Sequence, residues 1–372
     1  MENKTPETEK NGKKDKGTKI RKKPSKNSKL YKVFESLDPE EDYVAIFLQS
    51  EPDPDAMGSA LGIKWLLSRH FNLTSHLFFP GNLSDDPQNS AMQNTLGISL
   101  KGIDDYIKDK GKYKKGVIVD GNPKSSKIDP NYVDVIIDHH SFEGKENDYD
   151  YTNIKQVGSC CSMVCELISN SEYFFDSDNE EDCMVATALL IGIRIDTNSL
   201  LSESVTKLEY DSWSKLLPYV DKTKMTQILN YPLPKYYYDL RFESYKDENQ
   251  RDFGSNYFVA GVGFLVPKRR GVIPRLADEY LRMPGVNTVL VFGIVGGCVD
   301  ISVRSDDTTL DINAFCKKLF GDDAGGKFGA GRGRIPLGFL GSMDGSSENN
   351  DKLWMLVKKQ VFDLIEKELG GN

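Results

Sequence analysis

Short apolar runs of strand length alternate with helix-forming stretches from Val44 to Asp196, and most of the runs stop at aspartate or just before a turn that holds it. Val44 to Leu48 leads into Gln49 and then Pro52-Asp53-Pro54-Asp55-Ala56-Met57-Gly58-Ser59. Val117 to Val119 stops at Asp120, and Val133 to Ile137 stops at Asp138-His139-His140. His76 to Phe79 reads as a further strand. Between these, Gly58 to His70 sets Leu61, Trp65 and Leu66 on one helical face, and Met92 to Ile98 reads as a second helix. Ser159 to Ile168 and Asp182 to Ile195 also read as helices, the latter ending at Asp196. Repeated strand–helix units need crossover connections, so the expected class is α/β with a doubly wound, mostly parallel sheet. Ligands of such sheets bind at the carboxyl ends of strands, which is where these aspartates fall.

A different pattern follows. Residues 203–245 carry scattered Tyr, Trp and Leu with Pro218, Pro232 and Pro234, and read as helices and turns between two domains. Tyr257 to Phe264 is a strand, and Thr288 to Val295 and Cys298 to Val303 flank Gly296-Gly297, a two-residue hairpin signal. Asp311 to Phe320 and Leu353 to Leu369 have helical spacing, with a glycine-rich loop from Gly325 to Gly333 between them. The expected division is a basic tail at 1–30, a first domain at 31–200, a helical linker at 201–250 and a smaller mixed-sheet α/β domain at 251–372.

Charge is unevenly spread. Residues 1–30 hold ten Lys and one Arg against four acidic residues, within a chain whose formal net charge is -8. That segment lacks aromatics and nearly all aliphatics, so disorder is expected there, serving either as a solubilising linker or as a contact for polyanions. No apolar run reaches the ~18–20 residues needed to span a bilayer, and no apolar stretch follows the basic N-terminus as a signal peptide would require. A cytoplasmic protein without membrane partners is the expectation. The six cysteines form no CxxC pair and read as core residues.

The acidic residues carry the chemistry. Asp53 and Asp55 stand two apart in a proline-containing turn and can face one cavity. Close carboxylates resist ionising together unless a cation offsets them. Two divalent ions about 3.5–4 Å apart can clamp a phosphate and activate water. Asp120, Asp138-His139-His140 and Asp196 add further strand or helix ends, and oxygen ligands with an imidazole suit Mn²⁺ or Mg²⁺. Each aspartate alone reads equally well as a turn or helix cap; their joint occurrence points to a metal site.

Together, Pro-Asp-Pro-Asp-Ala-x-Gly-Ser, Val-Asp-Gly-Asn, Ile-Asp-His-His and Ile-Asp-Thr resemble the motifs of the DHH phosphoesterase family over residues 43 to about 200. Asp300 to Ser305 and Gly325 to Pro336 resemble that family's DHH-associated domain of the first type. The resemblance implies a metal-dependent hydrolase of phosphoester bonds with two Mn²⁺ ions, or Mg²⁺ in their place. It implies that Asp53 binds one ion, that Asp55, His139 and Asp196 bind the other, and that Asp120 bridges them. His140 would contact the scissile phosphate, and Asp138 would orient the neighbouring imidazoles. The sequence departs from the pattern twice: Gln49 stands where the family has a histidine ligand, and Lys327 where it has the histidine of Gly-Gly-His. Of the chain's four histidines, His70 and His76 lie outside every motif, so neither imidazole is displaced nearby in the sequence. As a ligand, Gln49 would offer only a neutral amide oxygen.

Lys327, Arg332 and Arg334 are interleaved with Gly325, Gly326 and further glycines, a composition that suits phosphate binding, and Arg304 is one more candidate for a terminal phosphate. The glycine spacing does not match a dinucleotide fingerprint. One cutting and one gripping domain suit short substrates: oligonucleotides of a few residues, 3′-phosphoadenosine 5′-phosphate, or linear and cyclic dinucleotides. A single-strand-specific 5′–3′ exonuclease, a nucleotide-binding non-enzyme and action on inorganic polyphosphate are the alternatives left open, as is a homodimer.

Overall fold

The computed structural model describes residues 29–81, 86–142, 144–254, 256–327, 329–342 and 347–369. The basic segment expected to be disordered lies outside the described residues, except for Lys29 and Leu30, which open α1 (Lys29–Phe34).

The first unit is built on β1 (Tyr43–Phe47), β2 (Thr74–Phe79), β3 (Leu100–Gly102), β4 (Tyr113–Val119), β5 (Val135–Asp138) and β6 (Tyr151–Ile154). Their order is β3-β2-β1-β4-β5-β6, and every pairing is parallel. The chain winds one way from β1 to β3 and the other from β4 to β6. The crevice between the ends of β1 and β4 is therefore the topological switch point, where such sheets bind ligands.

Helices α2 (Pro54–Phe71), α3 (Pro87–Thr95), α4 (Ile103–Lys108), α5 (Pro123–Ser126), α6 (Cys160–Ser169), α7 (Glu180–Asp196), α8 (Lys207–Leu216) and α9 (Lys222–Leu229) complete this unit. Side chains alternate across the sheet. Val44, Ile46 and Leu48 join the core under α2, α6 and α7, while Ala45 and Phe47 face Phe78, Tyr106, Ile118 and Ile136 on the other side. Two glycines set how closely the helices approach. A Cβ on Gly58 of α2 would stand 2.7 Å from the Ala188 carbonyl of α7, and one on Gly192 of α7 would stand 2.4 Å from Cys161 Sγ of α6 and 3.0 Å from the Pro54 carbonyl. These contacts bring the N-terminus of α2 against the C-terminus of α7.

Two helices start earlier than their apolar spacing predicts. α2 begins at Pro54 rather than Gly58, because Asp53 caps it by accepting from Ala56 N and Pro54 occupies the first turn. α3 begins at Pro87 rather than Met92, with Asp86 as its cap. The polar first turns masked both starts.

In the second unit β7 (Gln250–Phe253), β8 (Tyr257–Leu265), β9 (Thr288–Val295), β10 (Cys298–Ser305), β11 (Gly325–Lys327) and β12 (Ala330–Pro336) run in the order β11-β12-β10-β9-β8-β7. Only β8 and β9 pair in parallel. α10 (Lys235–Ser244) and α11 (Val272–Tyr280) pack on one face, and α12 (Ile312–Phe320) and α13 (Ser347–Leu369) on the other. The expected linker is divided between the two cores: Leu216 and Ile228 belong to the first and Tyr237 to the second. The glycine-rich stretch expected as a loop is the β11–β12 strand pair, with Gly325 opposite Arg332 and Lys327 opposite Ala330. Its glycines answer partly to packing, since a Cβ on Gly331 would stand 2.5 Å from Cys316 Sγ on α12.

Candidate metal centre

Five carboxylates and two imidazoles meet at the switch point. Asp53 ends the turn after β1, with its Oδ1 accepting from Ala56 N at 3.0 Å and its Oδ2 from Gln49 Nε2 at 3.0 Å. Asp55, 2% exposed, sits in the first turn of α2. Its Oδ1 accepts from Ser159 Oγ at 2.6 Å and Cys161 N at 3.0 Å, and its Oδ2 from Cys160 N at 2.7 Å. The carboxylate of α2 thus caps α6, where unpaired amides and the helix dipole favour negative charge.

Asp120 follows β4 with φ of 53°, a left-handed conformation uncommon for a residue with a Cβ. Its amide continues the ladder to the Ile137 carbonyl at 2.9 Å, so the turn aims the side chain along the sheet end toward β5. There Asp138 is fully buried and accepts from His140 N at 3.1 Å and from His140 Nδ1 at 2.9 Å. Burial pushes the Asp138 carboxyl up, but the His140 hydrogen bonds outweigh it and hold it below the usual range. Asp138 contacts one imidazole and not both as expected: His139 Nδ1 faces the Val157 carbonyl at 3.0 Å instead. A carbonyl only accepts, so Nδ1 carries a proton and a cation would bind at Nε2.

Nε2 points into the acidic group. His139 Nε2 lies 3.3 Å from Asp120 Oδ1, 3.4 Å from Asp196 Oδ2 and 3.8 Å from Asp55 Oδ2. His139 Nε2 and Asp120 Oδ1 are both buried, and neither makes a hydrogen bond among the described residues. Ligand atoms of Asp55, His139 and Asp196 lie within 4.8 Å of one another, as do those of Asp120, His139 and His140. Two adjacent ligand atoms, buried beside further carboxylates, fit a divalent cation in place of a proton.

The electrostatics point the same way. Burial first, then the charges of Asp55 and Asp53, push Asp120 well above the usual carboxylate range. Burial and the charge of Asp55 push Asp196 up to about 6. Burial pulls His139 down, yet Asp120 and Asp55 more than reverse this and carry it to about 10. A cation relieves all three by replacing the proton that the carboxylates otherwise share with the imidazole.

The residues expected to grip substrate are less uniform. Lys327 is exposed, and its charge helps lower Asp196, which sets the β11–β12 pair on the side of the metal centre. Arg332 is exposed too. Arg334 Nε stands 3.5 Å from Asp300, which Arg270 also holds at 2.8 Å. Arg304 is engaged by Asp278 at 2.5 Å and by Ser302 at 3.0 Å. The backbone of Gly325 and Gly326 belongs to a strand pair, and Gly326 N donates to Asn313 at 3.3 Å. Sequence reasoning missed Val157, Ser159 and the amides of Cys160 and Cys161. Ser159 carried a signal as a cap residue before an apolar helix, but its hydroxyl serves Asp55.

Residues 43–193 match the family model described as the DHH family, N-terminal domain. An uncharacterized protein of Methanocaldococcus jannaschii is 29% identical over 322 residues, covering 86% of this chain and 63% of that relative. The chain thus spans less than two thirds of the length of the curated relative it matches. The crystal structure of an exopolyphosphatase-related protein from Bacteroides fragilis superposes over 87% of this chain and 94% of its own, with a TM-score of 0.59 and 18% identity, a likeness of fold. A putative family II inorganic pyrophosphatase of Methanococcus jannaschii overlaps more loosely, at 15% identity and a TM-score of 0.41 over 84% of this chain and 99% of its own.

Proposed function

We propose that this chain, whose first unit is a DHH-family domain, hydrolyses phosphoester bonds in short phosphorylated nucleotides with the help of Mn²⁺ or Mg²⁺. The observation that carries the reading is the pair of buried ligand atoms Asp120 Oδ1 and His139 Nε2, 3.3 Å apart among carboxylates. Asp55, Asp120, His139 and Asp196 would hold the cation. When bound, it supplies a Lewis acid for a phosphoryl oxygen and acidifies water.

The protein's own groups complete the arrangement. Val157 and Asp138 hold the two imidazoles differently, His139 facing the carboxylates that would bind the cation and His140 the open side. The His140 side chain is 55% exposed with Nδ1 engaged, which leaves Nε2 for an oxygen of the scissile phosphate. The helix α6 amides and Ser159 hold the Asp55 carboxylate in place. Lys327 and Arg332, on the strand pair beside the centre, suit a second phosphate of the same substrate, which favours oligonucleotides of a few residues, 3′-phosphoadenosine 5′-phosphate and dinucleotides.

The test is a panel of these compounds and a long single strand, incubated with the protein in Mn²⁺ and resolved by product chromatography. Short substrates are expected to be cleaved fastest, with no turnover above background in Asp120→Ala. Faster digestion of the long strand would replace this reading with an exonuclease. Binding without products in every metal would replace it with a nucleotide-binding role.

A further inference from the structure

We infer that this centre holds one divalent cation, and that the Gln49 carboxamide stands in place of a second by tying Asp53 to Asp120. The inference rests on the metal-dependent reading above for the ion itself and departs from the two-ion expectation in the count. Gln49 Nε2 lies 3.0 Å from Asp53 Oδ2 and 3.5 Å from Asp120 Oδ2. An amide nitrogen is a donor and coordinates no cation, so this face of Gln49 does with two hydrogen bonds what an ion between the same oxygens would do with charge.

Asp53 is held by this contact and by a helix cap. Its Oδ1 caps α2 through Ala56 N and its Oδ2 is taken by Gln49. Asp53 belongs to neither of the two groups of three or more His, Cys, Asp or Glu ligand atoms found among the described residues, whereas Asp55, Asp120, His139 and Asp196 all do. The two oxygens of Asp120 are divided accordingly. Oδ2 turns to Gln49, and Oδ1 turns to His139 and is unsatisfied. Reversing the carboxamide would set its oxygen against Asp53 and Asp120, an arrangement only a cation could hold together, and a neutral amide oxygen is a weaker ligand than imidazole. No other imidazole takes up the position: His70 packs between Tyr31 and Tyr173, and His76 between Tyr43 and Tyr113.

Manganese content per chain after equilibrium dialysis, together with the electron paramagnetic resonance spectrum of the bound Mn²⁺, tests this. The native protein is expected to hold one ion per chain with a magnetically isolated spectrum. Gln49→His is expected to hold two, with exchange coupling between them. The isosteric Gln49→Glu serves the same purpose if the histidine variant does not fold. Asp53→Asn should keep the single ion and Asp196→Ala should lose it. Two ions or a coupled spectrum in the native protein would overturn the inference while leaving the metal-dependent reading intact. Loss of the ion in Asp53→Asn, or a single ion in both Gln49 variants, would overturn the role given to Gln49. No bound ion at all would overturn both readings.

Discussion

At the scale of single residues, the centre is a set of carboxylates whose charge the fold has only partly offset. Asp55 has the strongest support, from one hydroxyl and two helix amides. Removing the hydroxyl in Ser159→Ala leaves both amides, so Mn²⁺ affinity should fall by roughly 10-fold, the lower end of what loss of a ligand's supporting hydrogen bond costs. Isothermal calorimetry would read it, and an unchanged affinity would mean that Asp55 is not a ligand. Protons compete for the same atoms. His139, held up at about 10, and Asp196, held up at about 6, must both be deprotonated to bind an ion. Both are raised, so the metal-free protein retains protons that the loaded protein has lost, and affinity must rise with pH. Below about 6 Asp196 is protonated as well, and the affinity should drop most steeply there. Near neutral pH, binding should release a proton from His139, visible as a dependence of the calorimetric heat on the buffer's ionisation enthalpy.

At the scale of elements, the centre depends on how closely three helices approach. Asp55 lies at the start of α2, Asp196 at the end of α7, and the amides that hold Asp55 at the start of α6. Gly192 has Cys161 Sγ, the Pro54 carbonyl and Asp55 Cα within 3.1 Å of where its Cβ would stand. Gly192→Ala should therefore push α7 from α2 at a cost of about 1–3 kcal/mol, the range for overpacking a filled core. Urea unfolding would give the stability change. Mn²⁺ affinity should fall in parallel, because the shift separates Asp196 from Asp55. A variant that loses stability but binds Mn²⁺ normally would show that the helix contact and the ligand geometry are independent.

At the scale of the whole molecule, the two units meet through Arg275 of α11 and Asp86 before α3, with Nη2 and Oδ2 3.1 Å apart and both side chains mostly buried, at 23% and 22% exposure. Arg275 also lies over the Tyr231 ring, its guanidinium carbon 4.9 Å from the centroid. Asp86 caps α3 with its other oxygen, so Arg275 is the cleaner side to change. Arg275→Gln should leave both cores folded and loosen the approach of the β11–β12 pair to the metal centre. KM for a two-phosphate substrate should rise several-fold with Mn²⁺ affinity unchanged. An unchanged KM would mean that this contact does not set the distance between the units. No helix among the described residues is long and apolar enough to cross a membrane.

Much of this was legible in the chain itself. The apolar runs at Val44, Val117 and Val133 dictate buried parallel strands, because only a sheet covered on both faces hides such runs, and the residues after them necessarily share one edge of the sheet. Asp53, Asp120 and Asp138-His139-His140 were therefore identifiable as neighbours from their positions alone. Helix starts with polar first turns, at Pro54 and Pro87, were not, since apolar periodicity begins a turn later than the cap. Nor could the sequence say which partner each polar group would choose. Gln49 turns its amide to Asp53 and Asp120, Ser159 leaves its own helix to hold Asp55, and Val157 rather than Asp138 fixes His139. The strand pair packs against α12, where Cys316 and Phe320 leave no room for a side chain at Gly331 and Gly333. Local pattern determined the strands and their ends, since it reflects burial residue by residue. Pairings between groups distant in sequence were decided only by the packing of helices on the finished sheet.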